Sequence, residues 1–93
     1  MQHSHLVTKH ARDRSTARAI PPGVIDLILH YGYARAARDG AQRHGLSSDS
    51  FRMLRKDFGP NVAAALQSHR NTYVVTADGA VVTVARATKP LFR

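Results

Sequence analysis

Apolar positions along the chain follow two different periods. Val24, Leu27, Ile28 and Tyr31 share one face at helical spacing, after Pro21-Pro22-Gly23, where proline is tolerated in a first helical turn. Gly32 is expected to end this helix in the left-handed conformation. Phe51, Leu54 and Phe58 repeat at the same period behind Ser47 and Ser48, either of which can cap a helix start. Gly59-Pro60 then stops that helix and opens another carrying Val62, Ala65, Leu66 and His69. Earlier in the chain, Thr8 is placed to cap a helix over residues 9–18. Residues 1–7 read as a flexible start that ends in a short extended piece at Leu6-Val7.

The second period is that of strands. Thr72–Thr76 and Val81–Arg86 are rich in β-branched residues and flank Asp78-Gly79, a strong hairpin signal. A two-residue turn there pairs Thr76 with Val81 and Tyr73 with Val84. A second hairpin runs from Tyr33 to Arg38, turns at Asp39-Gly40 and returns through Ala41–Leu46. The predicted order is α-α-β-β-α-α-β-β. The expected fold is α+β, with two hairpins joined in one antiparallel four-stranded sheet packed by helices. Residues 1–93 form a single domain, without internal repeats or a linker.

Composition narrows the classes. Ninety-three residues support one modest core, and with 6% aromatics and no Trp that core is aliphatic and thin. Marginal stability, or support from a partner, is expected. The chain has no Cys, which removes disulfides and thiolate metal sites and fits a reducing cytoplasm. No apolar run approaches the roughly 20 residues that span a bilayer. The stretch Met1-Gln-His-Ser-His lacks the basic-then-apolar pattern of a secretory signal, so a cytoplasmic location is expected.

Charge changes the picture most. Fourteen Lys and Arg stand against six acids, all Asp, for a net charge of +8. Every quarter of the chain has a positive balance, so the basicity belongs to the domain and not to a tail. Such a surface attracts polyanions by phosphate contacts and counterion release. Asp39 and Asp78 sit in turns, and Asp26 and Asp49 lie in or near first helical turns, where the dipole favours them. Asp13 and Asp57 are left without a local reason.

The sharpest constellation is on the first helix. His10, Arg14 and Arg18 are spaced by four and form a slanting stripe, with Lys9 and Arg12 adding charge on other faces. Imidazole can move a proton near neutral pH, and guanidinium can hold phosphate oxygens as charge develops on them. A solvated helix face accounts for the same spacing. The segment Thr8-Lys-His-Ala-Arg-Asp-Arg-Ser-Thr-Ala-Arg-Ala-Ile20 resembles the opening motif of a family of small bacterial domains of unknown function, Thr-x-His-Ala-x-x-Arg-x-x-x-Arg-x-Ile. That family resembles the RelE-like toxin ribonucleases, compact α+β domains with two leading helices and an antiparallel sheet. Ser15 stands where the family usually has an apolar residue, and Ala19 where it usually has glycine. The resemblance implies an RNA-contacting or RNA-cleaving surface that includes His10 and Arg14, with the sheet beneath it.

Other residues extend the candidate set. Tyr73 can stack on a base or donate its hydroxyl, and joins His10 and Arg14 as a candidate catalytic residue. Lys9, Arg12, Arg18, Arg43, His44, Arg86 and Lys89 are candidates for binding nucleic acid. His69 falls on an apolar stripe and reads as a packed histidine. His3 and His5 make no defined metal site, no zinc spacing occurs, and no acidic cluster suited to magnesium is visible, so no cofactor is expected. Two functions are carried forward. One is an RNA-binding domain with metal-independent endoribonuclease activity. The other is a non-catalytic module that binds nucleic acid or a small acidic antitoxin-like protein. The oligomeric state is left open.

Overall fold

The computed structural model describes residues 6–17 and 20–92. Two hairpins make a four-stranded antiparallel sheet, and helices precede and separate them, as the sequence pattern predicts. Strands β2 (Tyr33–Ala36) and β3 (Gln42–Gly45) form the first hairpin, and β4 (Thr72–Ala77) and β5 (Ala80–Arg86) the second. A short strand β1 (Leu6–Val7) joins β5 in parallel, giving the spatial order β1-β5-β4-β3-β2. The extended piece expected at Leu6-Val7 is therefore paired, and residues 1–5 lie outside the described part.

Helix α1 (Lys9–Ala17) starts at Thr8, whose hydroxyl oxygen accepts the Ala11 N–H at 3.2 Å. It packs along β5. Helix α2 (Pro22–Tyr31) buries Val24, Ile25 and Ile28. Helix α3 (Ser48–Phe58) is capped by Ser47, whose hydroxyl accepts from Ser50 N–H at 3.2 Å while Ser50 Oγ accepts from Ser47 N–H at 3.0 Å. Helix α4 (Pro60–Ala65) runs on into a 3-10 turn, Leu66–His69. Ile28, Leu46, Leu54, Val74, Val81 and Val84 are fully buried and, with Ala11, Phe51 and Leu66, form one core cluster.

Three local expectations are corrected. Gly32 does end α2, but at φ −77°, not in the left-handed region. Glycine is needed there for close approach: a Cβ would lie 2.4 Å from the Ile28 carbonyl oxygen and 2.6 Å from that of Gly45. Phe58 and Ala65 are exposed, because α3 buries only Ser50, Phe51 and Leu54 and α4 turns Ala63 inward. In the β4–β5 hairpin Thr76 faces Val81 as expected, but a register shift follows and Tyr73 faces Ala85. Val81 and Val84 are three apart, and a regular strand would send them to opposite faces. The bulge brings both into the core.

Candidate nucleic-acid interface

Register sorts the strand residues onto two faces. Val74 pairs with Val84 and His44, so these point toward the core cluster. Tyr73, Val75, Thr83, Arg43, Arg35 and Tyr33 point the other way, onto what is here called the outer face. In cross-strand order Thr83, Val75, Arg43 and Arg35 make one row across four strands. Ala85, Tyr73, Gly45 and Tyr33 make the next.

The outer face joins cations to rings. The Arg43 guanidinium lies 5.4 Å from the centre of the Tyr73 ring. Arg35 lies 5.1 Å from the Phe92 ring and donates to the Leu91 carbonyl oxygen at 3.2 Å. Arg35, Arg38 and Arg43, with Ala37, Ala41 and Val75, line a shallow cleft of about 530 Å³. No carboxylate lines it among the described residues. Arg38 reaches its lip through a left-handed turn, with Asp39 at φ 56° and Gly40 at φ 77°. Three guanidiniums lining one cleft, next to an aromatic ring, suit a chain of phosphates with stackable bases.

The structure joins some of the residues the sequence singles out and separates others. Arg43 and Tyr73 come together on the outer face. His44 points to the core side, where Nε2 lies 2.8 Å from Thr76 Oγ1. Arg86, opposite Thr72, also points that way and donates to the Ser68 carbonyl oxygen at 3.3 Å. His10 and Arg12 are exposed on α1, and Lys9 pairs with Asp13 at 3.4 Å. Ala11 of α1 belongs to the buried cluster, so Tyr73 and the core-facing side of α1 lie on opposite sides of the sheet. Arg14 lies in α1 with its side chain outside the described part, and Arg18 lies outside it altogether. Lys89 is exposed in the C-terminal segment. Arg35 and Arg38 are the cleft residues that sequence reasoning passes over. What brings Arg35 to the cleft is the register of the first hairpin, which sets it directly opposite Arg43.

A second cleft, of about 310 Å³, has different chemistry: Tyr31, Tyr33, Asp49, Met53 and Asp57 line it. Tyr31 donates its hydroxyl proton to Asp57 at 2.5 Å, and that hydrogen bond holds the phenol above its ordinary pKa of 10.0. Asp57 and Asp13, which the sequence leaves without a local reason, thus have partners in Tyr31 and Lys9. Asp49 pairs with Arg52 in the first turn of α3. Among the described residues no group of three His or Asp is arranged to hold a metal ion, and no helix is long and apolar enough to cross a membrane. The chain matches no protein-family model, no curated protein and no solved structure.

Proposed function

We propose that the chain binds RNA through the outer face of its sheet, with Arg35, Arg38 and Arg43 on phosphates and Tyr73 against a base. One observation carries this reading: three arginines converge on one cleft that, among the described residues, no carboxylate lines. Long-range attraction from a net charge of +8 brings a polyanion to the molecule, and this cleft is where its phosphates meet three guanidiniums. The carboxylates of a small acidic antitoxin-like protein fit the same arginines. The ring of Tyr73 under Arg43 favours RNA, because an exposed base adds stacking that a carboxylate does not.

Fluorescence anisotropy of a labelled single-stranded RNA, titrated at several salt concentrations, tests the reading. Wild type is expected to bind more weakly as salt rises. The double substitution Arg35→Ala, Arg43→Ala is expected to lower the log–log salt slope by about 1.4, since each lost contact to single-stranded phosphate removes about 0.7. Absence of binding at low salt, or an unchanged slope in the double variant, overturns it.

Cleavage is a separate step of the proposal, assigned to His10, with Arg14 as its phosphate-binding partner in the resemblance to RelE-like ribonucleases. RNA incubated in EDTA with wild type and with His10→Ala decides it. Cleavage by wild type that the variant loses supports an endoribonuclease, and intact RNA throughout leaves a binding module.

A further inference from the structure

The C-terminal segment returns across the outer face and seats on Gly45. A Cβ at position 45 would lie 3.2 Å from Leu91 Cβ and 3.4 Å from Phe92 Cδ2, so the missing side chain makes the notch that the segment fills. Above the notch the Phe92 ring has two further neighbours. Arg35 lies over its face at 5.1 Å, and the Tyr33 ring is 6.1 Å away at a tilt of 51°. The Leu91 carbonyl accepts from Arg35 at 3.2 Å, which occupies part of a guanidinium of the cleft.

A flat ring over a glycine, beneath a guanidinium and beside a tyrosine, is in the surroundings a nucleobase takes on a protein. Guanidinium and aromatic faces both stack on bases, and every base has a π-face. The Leu91 carbonyl sits on Arg35 as a phosphate oxygen would. Leu91 and Phe92 are only half-buried, Arg35 is exposed, and neither Leu91 nor Phe92 belongs to the buried cluster, so their displacement requires no rearrangement of the core.

We propose that Phe92 occupies a base-binding position, and that single-stranded RNA displaces it so that a base stacks between Arg35 and Tyr33 while Arg35 turns from Leu91 to a phosphate. The proposal rests on the outer face being the RNA-binding surface. It adds a built-in competitor: the chain's own C-terminal segment lowers the apparent affinity by the fraction of time it is seated.

The experiment compares wild type with Phe92→Ala, using one single-stranded RNA oligonucleotide and one RNA duplex, at fixed salt. Phe92→Ala is expected to bind the single strand more tightly, on the order of tenfold if the segment is seated about nine-tenths of the time. Duplex is expected to gain less than the single strand, because it can take the freed Arg35 on a phosphate but its paired bases cannot enter the notch. In wild type, the Phe92 ring-proton resonances are expected to move toward free-chain positions as the single strand is added. Those resonances decide the matter alone if Phe92→Ala loses its fold by circular dichroism. Equal single-strand affinity in the two proteins, an equal gain on duplex, or unmoved ring resonances in RNA-bound wild type overturns this proposal and leaves RNA binding intact. Failure of both proteins to bind either RNA overturns the functional reading as well.

Discussion

Gly32 and His69 show how single positions set the limits of this molecule. Gly32 sits where α2 hands over to β2, with two backbone carbonyl oxygens within 2.6 Å of its missing Cβ. Backbone gives way less readily than a side chain, so Gly32→Ala is expected to destabilise the fold by about 1–3 kcal/mol, as overpacked sites do. Urea denaturation measures it. His69 is buried with Nδ1 3.3 Å from Thr72 Oγ1, and burial first, the Arg86 charge second, hold its pKa below the usual 6.5. The unfolded chain then takes up a proton at higher pH than the folded one. Stability is expected to be full above the unfolded value, to fall as pH drops through it, and to level off below the folded value. Denaturation of wild type and His69→Gln at pH 8 and pH 5 checks this, the variant showing the smaller loss. A packed histidine at position 69 is legible from its place on an apolar stripe. The closeness of the Gly32 and Gly45 backbones is not, because it depends on how a helix end meets a neighbouring strand.

At the level of elements, several starts and stops rest on local chemistry that a sequence carries openly. Thr8, Ser47, Gly59-Pro60 and the two Asp-Gly pairs all act where they are expected to. Ser47→Ala removes one half of the reciprocal pair at the start of α3, and a loss of about 1 kcal/mol is expected, measured as a lower denaturation midpoint. Strand register is less legible. A two-residue turn at Asp39-Gly40 would pair Arg35 with His44. The turn takes in Arg38 as well, closing with the Ala41 N–H on the Arg38 carbonyl at 3.0 Å. That single extra residue brings Arg43 opposite Arg35 and sends His44 to the core side. In the second hairpin the bulge exchanges the partner of Tyr73. Both shifts change which side chains share a face, so the elements can be read correctly while the candidate site is read only in part.

For the whole molecule, charge and core size pull together. The Cα radius of gyration is 12.4 Å, and among the described residues the buried cluster is built from aliphatic side chains with Phe51 as its one aromatic member. A net charge of +8 adds self-repulsion to that modest core. Binding a polyanion is therefore expected to stabilise the fold, by about 2.7 kcal/mol at a ligand concentration of about one hundred times Kd, since ligand that binds only the folded state shifts the equilibrium by mass action. A thermal melt with and without single-stranded RNA checks it, and an unmoved midpoint at saturating RNA counts against the outer face as a binding surface.

Strand β1 is only two residues long, and it makes the two margins of the sheet unlike each other. By laying Leu6 and Val7 beside Ala80 and Val81 it covers the first two residues of β5, and Thr8 N–H adds a bond to the Val81 carbonyl at 3.0 Å. The far margin is β2, four exposed residues with no strand beyond them among those described. An intruding strand from another molecule can add along β2, and Arg35 stands within that strand as a charged deterrent. Neutralising Arg35 would blunt the grip on phosphate and also leave that margin open to self-association, so its variants call for a check of monomer content before any affinity is interpreted.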